Sequence, residues 1–285
     1  MNTEANMHTF HTPIPVNLKV ELWQGDVRVD AELTDTTTIE LEPMRGDSAA
    51  QELIDHAKVE QRGDEILVLM PKMKSGLFRS RGEVRAIITL PLHSSAKIET
   101  GSADIETHGV LGDLSVSSGS GDVSLEHGNK VQVRTGSGDV TIGTADDDCD
   151  IKCGSADVTV ETLGSDADII AGSGNVVLGA VGGSLKIKTG SGDIVIKSAG
   201  AGVDAMAGSG DLFVRRIQHG RLKAKTGSGD ISVGVAEGTA AYLDVMTVTG
   251  DVRSSLDASD APGDGDLTVE LILQSGSGDV VLQRA

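Results

Sequence analysis

The stretch "KTGSGDIVI" spans Lys188–Ile196, and "KTGSGDISV" spans Lys225–Val233. Close variants recur along the chain. Gly-Ser-(Gly/Ala)-(Asp/Asn) begins at Gly101, Gly119, Gly136, Gly154, Gly172, Gly190, Gly208, Gly227 and Gly276, and a shortened "VTGD" ends at Asp251. From Gly101 to Gly227 the steps are 18, 17, 18, 18, 18, 18 and 19 residues. A fixed period of this size marks a solenoid, in which each repeat stacks on its neighbours.

The residues around each corner give the secondary structure. One, three and five positions before the Gly stand small or apolar residues, as in Leu185, Ile187 and Thr189, or Val131, Val133 and Thr135. Four and six positions after it stand Val140 and Ile142, Ile194 and Ile196, or Leu212 and Val214. Both sets alternate with period two, the pattern of a half-buried strand. Each unit therefore reads as strand, tight turn, strand, looser turn. The expected fold is all-β: a two-sheeted parallel β-solenoid with coils of about 18 residues, stacked at about 4.8 Å. About ten coils would extend roughly 50 Å.

Composition fits a thin core. The 285 residues hold 37 Gly but only three Phe, one Trp and one Tyr. A narrow slot between two sheets takes Val, Ile, Leu, Ala and Thr and has little room for rings. Net charge is −19, with 43 acidic and 24 basic residues. That balance disfavours nucleic acid as a partner. No apolar run is long enough to span a membrane, and the N-terminus has no basic start or cleavage signal. The chain as written is expected to be cytoplasmic; a cell-surface location requires processing or another export route.

Three regions follow from the pattern. Residues 1–13 read as a flexible tail. Residues 14–100 form a less regular β region, continuous with the solenoid of residues 101–285. Within the irregular part, "NLKVELWQGDVRVDAEL" (Asn17–Leu33) resembles a degenerate first coil. "DSAAQELIDHAK" has Ser48 and Gln51 at capping-box spacing and reads as one short helix. "EILVLMP" and "VRAIITLP" read as strands ending at Pro71 and Pro91. Past Asp251, an acidic loop "DASDAPGDGD" precedes a final coil, "LTVELILQSGSGDVVLQ".

Tandem "TGSGD-(I/V)-x-(I/V)" units behind "VRAIITLP" and a Gly/Arg/Phe loop resemble the bacterial putative-adhesin β-strand-repeat family, also called toastrack or LiaG-like domains. The resemblance covers roughly residues 14–285. It implies a β-solenoid with no assigned enzymatic activity; some relatives are surface-anchored and some belong to envelope-stress systems. It carries over no catalytic residue.

The corner carboxylates form a column: Asp104, Asp122, Asp139, Asp157, Asn175, Asp193, Asp211, Asp230, Asp251 and Asp279. At strand spacing these charges repel, so backbone donors, water or cations must offset them. Calcium-binding β-rolls carry two Gly-rich corners per turn. This chain has one, and Asn175 enters the column unaccompanied by other changes. The column is therefore read as a structural turn ladder, with no metal and no cofactor; calcium is the alternative.

Cys149 and Cys153 fall in inward positions of one strand, about 13 Å apart and beyond disulfide reach. They read as buried thiols. The histidines are scattered, and no Ser/His/Asp set, "HExxH" or P-loop occurs.

Two surfaces stand out. Lys72, Lys74, Arg79, Arg81 and Arg85 gather around Leu77 and Phe78, which suits an anionic membrane surface or an acidic partner. The bland reading folds this loop onto the chain's own acidic flank. The outward column Thr141, Thr159, Val177, Val195, Phe213, Ser232 places Val177, Val195 and Phe213 as a contiguous apolar stripe. The expected function is a non-enzymatic scaffold, with a protein partner or self-association. The alternatives are an envelope-stress regulatory module docked through the basic loop, a calcium-dependent surface adhesin, and a glycan-cleaving enzyme.

Overall fold

The computed structural model describes residues 6–44, 48–71, 82–256 and 267–285. The described chain is β-structure with one short helix, Ser48–Asp55. It divides into two compact units, Met1–Thr141 and Ile142–Ala285. The division falls within the strand Val140–Ala145, whereas the sequence reading drew its boundary at residue 100.

In the second unit every coil contributes one strand to each of two parallel sheets. The strand before the Gly corner pairs with its counterpart one period on: Leu185–Ser191 pairs with Val203–Ser209, Ile187 opposite Ala205. The strand after the corner does the same in the other sheet, with Ile196 opposite Val214. Period-two alternation becomes period-two burial. Ile169, Ile187, Ile196 and Val233 are fully enclosed between the sheets, while the residues between them face outward. Among the described aromatics, Phe10, Trp23 and Phe213 are half-buried and Tyr242 is exposed, so none fills the slot. The thin core accounts for their scarcity.

The last coil in sequence is not the last in space. Leu267–Ser277 lies between Gly220–Ser228 and Thr239–Thr249. Val280–Arg284 likewise lies between Ile231–Val235 and Val252–Ser254. This corrects the expectation of a C-terminal coil closing the stack. The reason is burial. Val269, Leu271 and Leu273 are fully enclosed in this position, and at the edge they would be partly open to water.

The first unit makes the same exchange. The coil built from Asn17–Leu22 and Gly25–Glu32 pairs on one side with Ser95–Thr100 and Asp104–Val110. On its other side it pairs with Glu65–Leu69 and Val84–Pro91. Its turn depends on Gly25, whose φ is 120° and whose absent Cβ would lie 2.0 Å from the Val84 carbonyl oxygen.

Antiparallel strands then finish both sheets. Thr36–Pro43 pairs with Val84–Pro91 and Met7–His11 pairs with Thr36–Pro43; Lys58–Arg62 pairs with Glu65–Leu69. These three strands were not anticipated, and Met7–His11 replaces part of the expected flexible tail. The helix packs beside Thr36–Pro43 with Ala50 and Ile54 buried. Gly82 admits this close approach, since a Cβ there would lie 2.6 Å from the Ala50 nitrogen.

Candidate functional site

The Gly-Ser-Gly-Asp corner is the most repeated polar feature. Along the ladder a side chain accepts the backbone N–H of its counterpart in the adjacent coil. In the first unit Asp104 Oδ1 accepts from Asp122 at 2.9 Å, and Asp122 Oδ1 from Asp139 at 2.9 Å. In the second unit the chain runs from Asp157 through Asn175, Asp193, Asp211, Asp230 and Asp279 to Asp251, with distances of 2.7 to 3.0 Å. Backbone donors therefore oppose the mutual repulsion of the carboxylates. Asn175 fits because only one acceptor oxygen is required. Among the described residues, no group of three or more His, Cys, Asp or Glu side chains is placed to hold a metal ion.

A second column escaped the sequence reading. The residue before the corner Gly is often Thr or Ser, and its buried hydroxyl bonds to turn backbone. Ser118 Oγ donates to the Gly121 carbonyl at 3.1 Å, Thr226 Oγ1 to that of Gly210 at 3.0 Å, and Ser275 Oγ to that of Gly229 at 3.0 Å. The recurring "TG" and "SG" dipeptides were a signal for it; counting these positions as merely small hid their polar role. Cys153 occupies the same column, with its Sγ 3.9 Å from the Ala156 oxygen.

The outer faces of the second unit's two sheets differ in chemistry. On the face bearing the Leu185–Ser191 strand, Asp168, Lys186, Asp204 and Lys223 stand opposite one another in sequence, so charge alternates across four strands. On the other face, register puts Val177 opposite Val195 and Val195 opposite Phe213. The three residues read as a stripe are thus adjacent, and all are half-buried. Thr159 and Ser232 flank them. A shallow hollow of about 570 Å³ lies at the Phe213 end, lined by Val195, Phe213, Val214, Arg215, Ser232, Gly234 and Gln283. Gly234 lets the backbone pass close to Arg215, since a Cβ there would lie 2.0 Å from the Arg215 carbonyl oxygen. Its lining combines the Phe213 ring, the Arg215 cation and the Ser232 hydroxyl, with no carboxylate or imidazole beside that hydroxyl.

The first unit carries a polar groove of about 480 Å³, whose walls include Asp26, Arg28, Arg85, Asp104, Glu106 and Asp122. Its cations are already matched: Arg28 Nε lies 3.0 Å from Asp30, and Arg85 Nη2 lies 2.9 Å from Asp26. Arg85 therefore sits on the strand Val84–Pro91 facing an intramolecular partner. The rest of the basic loop, Lys72, Lys74, Leu77, Phe78, Arg79 and Arg81, lies outside the described residues.

Both cysteines are buried and free. Burial, and secondarily the charge of Asp150, pushes the Cys149 thiol up to about 12; burial also raises that of Cys153. Protonated thiols of this kind are poor nucleophiles. His108 bridges two surface carboxylates, Glu106 at 3.1 Å and Glu126 at 3.5 Å. No helix among the described residues is long and apolar enough to cross a membrane.

A two-sheeted solenoid of parallel coils with laddered Gly-Asp corners defines the class. The chain belongs to the Toastrack DUF4097 family, whose model matches residues 16–282. No curated protein matches the chain. Among solved structures it is similar to a "putative adhesin" from Parabacteroides merdae ATCC 43184, at 13% identity over 98% of this chain and 97% of that one, with a TM-score of 0.45. A "putative adhesin" from Parabacteroides distasonis ATCC 8503 gives 14% identity over 96% and 95%, with a TM-score of 0.42. A "putative lipid binding protein" from the same strain gives 10% identity over 100% and 99%, with a TM-score of 0.35.

Proposed function

We propose that this toastrack protein is a non-enzymatic interaction scaffold that works through the outer face bearing Val177, Val195 and Phe213. The observation that carries this reading is the register of those side chains, which forms an apolar row ending in the Phe213–Arg215 hollow. A row continued over adjacent coils buries area on contact, whereas isolated apolar residues do not. The opposite face, with alternating charge, keeps the protein soluble and leaves one side for recognition. The partner chemistry that fits is an extended segment with apolar side chains at coil spacing and an acidic group near Arg215.

The test is retention of labelled protein on whole bacterial cells and on purified cell-envelope material. Retention that disappears when Val177, Val195 and Phe213 are all changed to Thr supports the reading. Equal retention of wild type and triple variant, or none by wild type, removes it. Product formation from a panel of polysaccharides would contradict the non-enzymatic assignment.

A second reading rests on Lys72, Lys74, Arg79 and Arg81 around Leu77 and Phe78 in a chain of net charge −19, Arg85 being paired with Asp26. It is an envelope-stress regulatory module docked on an anionic membrane or acidic partner. Co-sedimentation with anionic vesicles, abolished by neutralising Lys72, Lys74, Arg79 and Arg81, is its expected signature. Failure of wild type to sediment sinks it.

A further inference from the structure

The second unit ends in an open coil. Thr239–Thr249 is the outermost strand of one sheet and Val252–Ser254 of the other. Their register continues the inward columns: Leu243 stands opposite Leu271, Val245 opposite Leu273, and Val252 opposite Val280. Leu271, Leu273 and Val280 are fully buried, yet Leu243 is 46% exposed and Val252 is 49% exposed. Among the described residues, therefore, nothing covers the core at this end of the stack. Tyr242, Met246 and Val248 add exposures of 55%, 54% and 76%.

Sheet edges are normally blunted by charge, proline or shortness because they recruit other strands. The first unit follows this rule. One edge there is the five-residue, antiparallel Lys58–Arg62, with Lys58 ion-paired to Glu60 at 2.9 Å. Thr239–Thr249 does not. It is eleven residues long, "TAAYLDVMTVT", without proline and with Asp244 as its single charge. It is also held in place. Arg284 Nη1 donates to the Thr239 carbonyl at 2.8 Å, and Thr247 Oγ1 donates to that of Gly278 at 2.9 Å.

We infer that this open coil is a dimerisation surface whose occupant is the same coil of a second copy, strand Thr239–Thr249 pairing antiparallel with itself. Three observations select a second copy. The surface is what the chain's own coils already stack against, since Leu267–Ser277 pairs along the whole inner side of this strand. Charge selects the register: pairing all eleven residues would set Asp244 against Asp244 of the second copy, whereas any register displaced from that midpoint sets Asp244 against an uncharged residue. The area suffices: these five apolar residues, exposed by 46% to 76%, amount to roughly 500 Å² per copy, about 1,000 Å² across a two-fold axis, which reaches the size of a specific interface. A two-fold contact also closes the edge and stops at two chains.

This goes beyond the proposed scaffold role, and different residues test it. Light scattering with size exclusion is run over a hundred-fold range of protein concentration, at low and high salt. Wild type is expected at twice 29.3 kDa, more fully at high salt, which screens the repulsion of two acidic chains. Leu243→Lys with Val248→Lys is expected to raise the dimer dissociation constant by at least about tenfold. Val177→Thr/Val195→Thr/Phe213→Thr should leave it unchanged. Hydrogen exchange of residues 239–249 should slow as wild-type concentration rises, and circular dichroism of the Lys variant should match wild type. A wild type monomeric under every condition overturns the inference. So does a dimer that survives both Lys substitutions, or one that only the stripe variant dissolves.

Discussion

Asp193 Oδ1 accepts the backbone N–H of Asp211 at 2.9 Å, one full coil further along the chain. The same atom pair recurs from Asp157 to Asp251, so a side chain and a peptide group knit neighbouring turns together outside the sheets. Replacing Asp193 by Ala leaves the Asp211 N–H to water. A loss of about 1 kcal/mol in urea unfolding is expected, against almost none for Asp193→Asn, which retains one oxygen as Asn175 does. Equal losses for Ala and Asn would mean that charge, not the acceptor, matters there.

The ladder's use of backbone donors also bears on calcium. One oxygen of each bonded rung is already engaged by a backbone N–H, and calcium needs six to eight oxygens around one ion. Melting temperature is therefore expected to be the same in calcium and in chelator. A rise of several degrees with calcium would reinstate the adhesin alternative.

Gly192 is held at a φ of 128°, and a Cβ there would lie 2.1 Å from the Gly174 oxygen. Gly192→Ala must shift the backbone of two stacked turns as well as adopt a conformation costly for an L side chain. The expected destabilisation is about 2–3 kcal/mol. Ala103 and Ala156 hold the equivalent corner position without positive φ, so the cost belongs to the turn conformation. A neutral Gly192→Ala, measured by the urea midpoint, would contradict this.

Thr226 tests the buried hydroxyl column. It is 5% exposed, and its Oγ1 donates to Gly210 at 3.0 Å. Thr226→Val keeps the shape and strands the carbonyl. About 1–2 kcal/mol should be lost, while Thr226→Ser should recover most of it. Equal stability of the Val and Ser variants would show that the column only fills space.

Cys149 supplies a pH test. Its thiol ionises near 9.0 in the unfolded chain but is pushed up to about 12 by burial and by Asp150. Between those values the folded state holds the extra proton. Stability is fully present below pH 9 and falls as pH rises toward 12, by at most about 1.4 kcal/mol per unit from this group. Cys153, raised by burial, acts in the same direction. Urea midpoints above pH 9 should decline more gently for Cys149→Ala than for wild type. Parallel declines would refute the assignment. At pH 8 thiol reagents should react no faster than the protein unfolds.

Much of the fold was legible because its signals are local and periodic. Ile187 and Ile196 announce two inward positions per coil by alternation alone, and Ser48–Asp55 announces a helix by its apolar spacing, although Ser48 lies inside the helix and Gln51 donates to Asp55 instead of closing a capping box. The strand Thr36–Pro43 was not legible. Its antiparallel pairing closes a sheet with a segment whose partner, Val84–Pro91, lies far along the chain. The stripe was legible as a column, since constant period converts spacing into adjacency. The hollow beside Phe213 was not, because it depends on Gln283 of a coil that arrives from a distant part of the sequence.

By itself, then, the sequence determined the coil: its length, its two strands, its inward columns and its glycine corner, all set by backbone sterics and hydrophobic alternation within about twenty residues. Tertiary structure alone decided the order in which the outer coils stack. Period-two strands of equal length can pair with any neighbour. What selects among them is how much apolar surface each arrangement removes from water. That selection tucks Asn17–Glu32 and Leu267–Arg284 beneath other coils, and it leaves the inward column of Thr239–Thr249 facing outward at the end of the second unit.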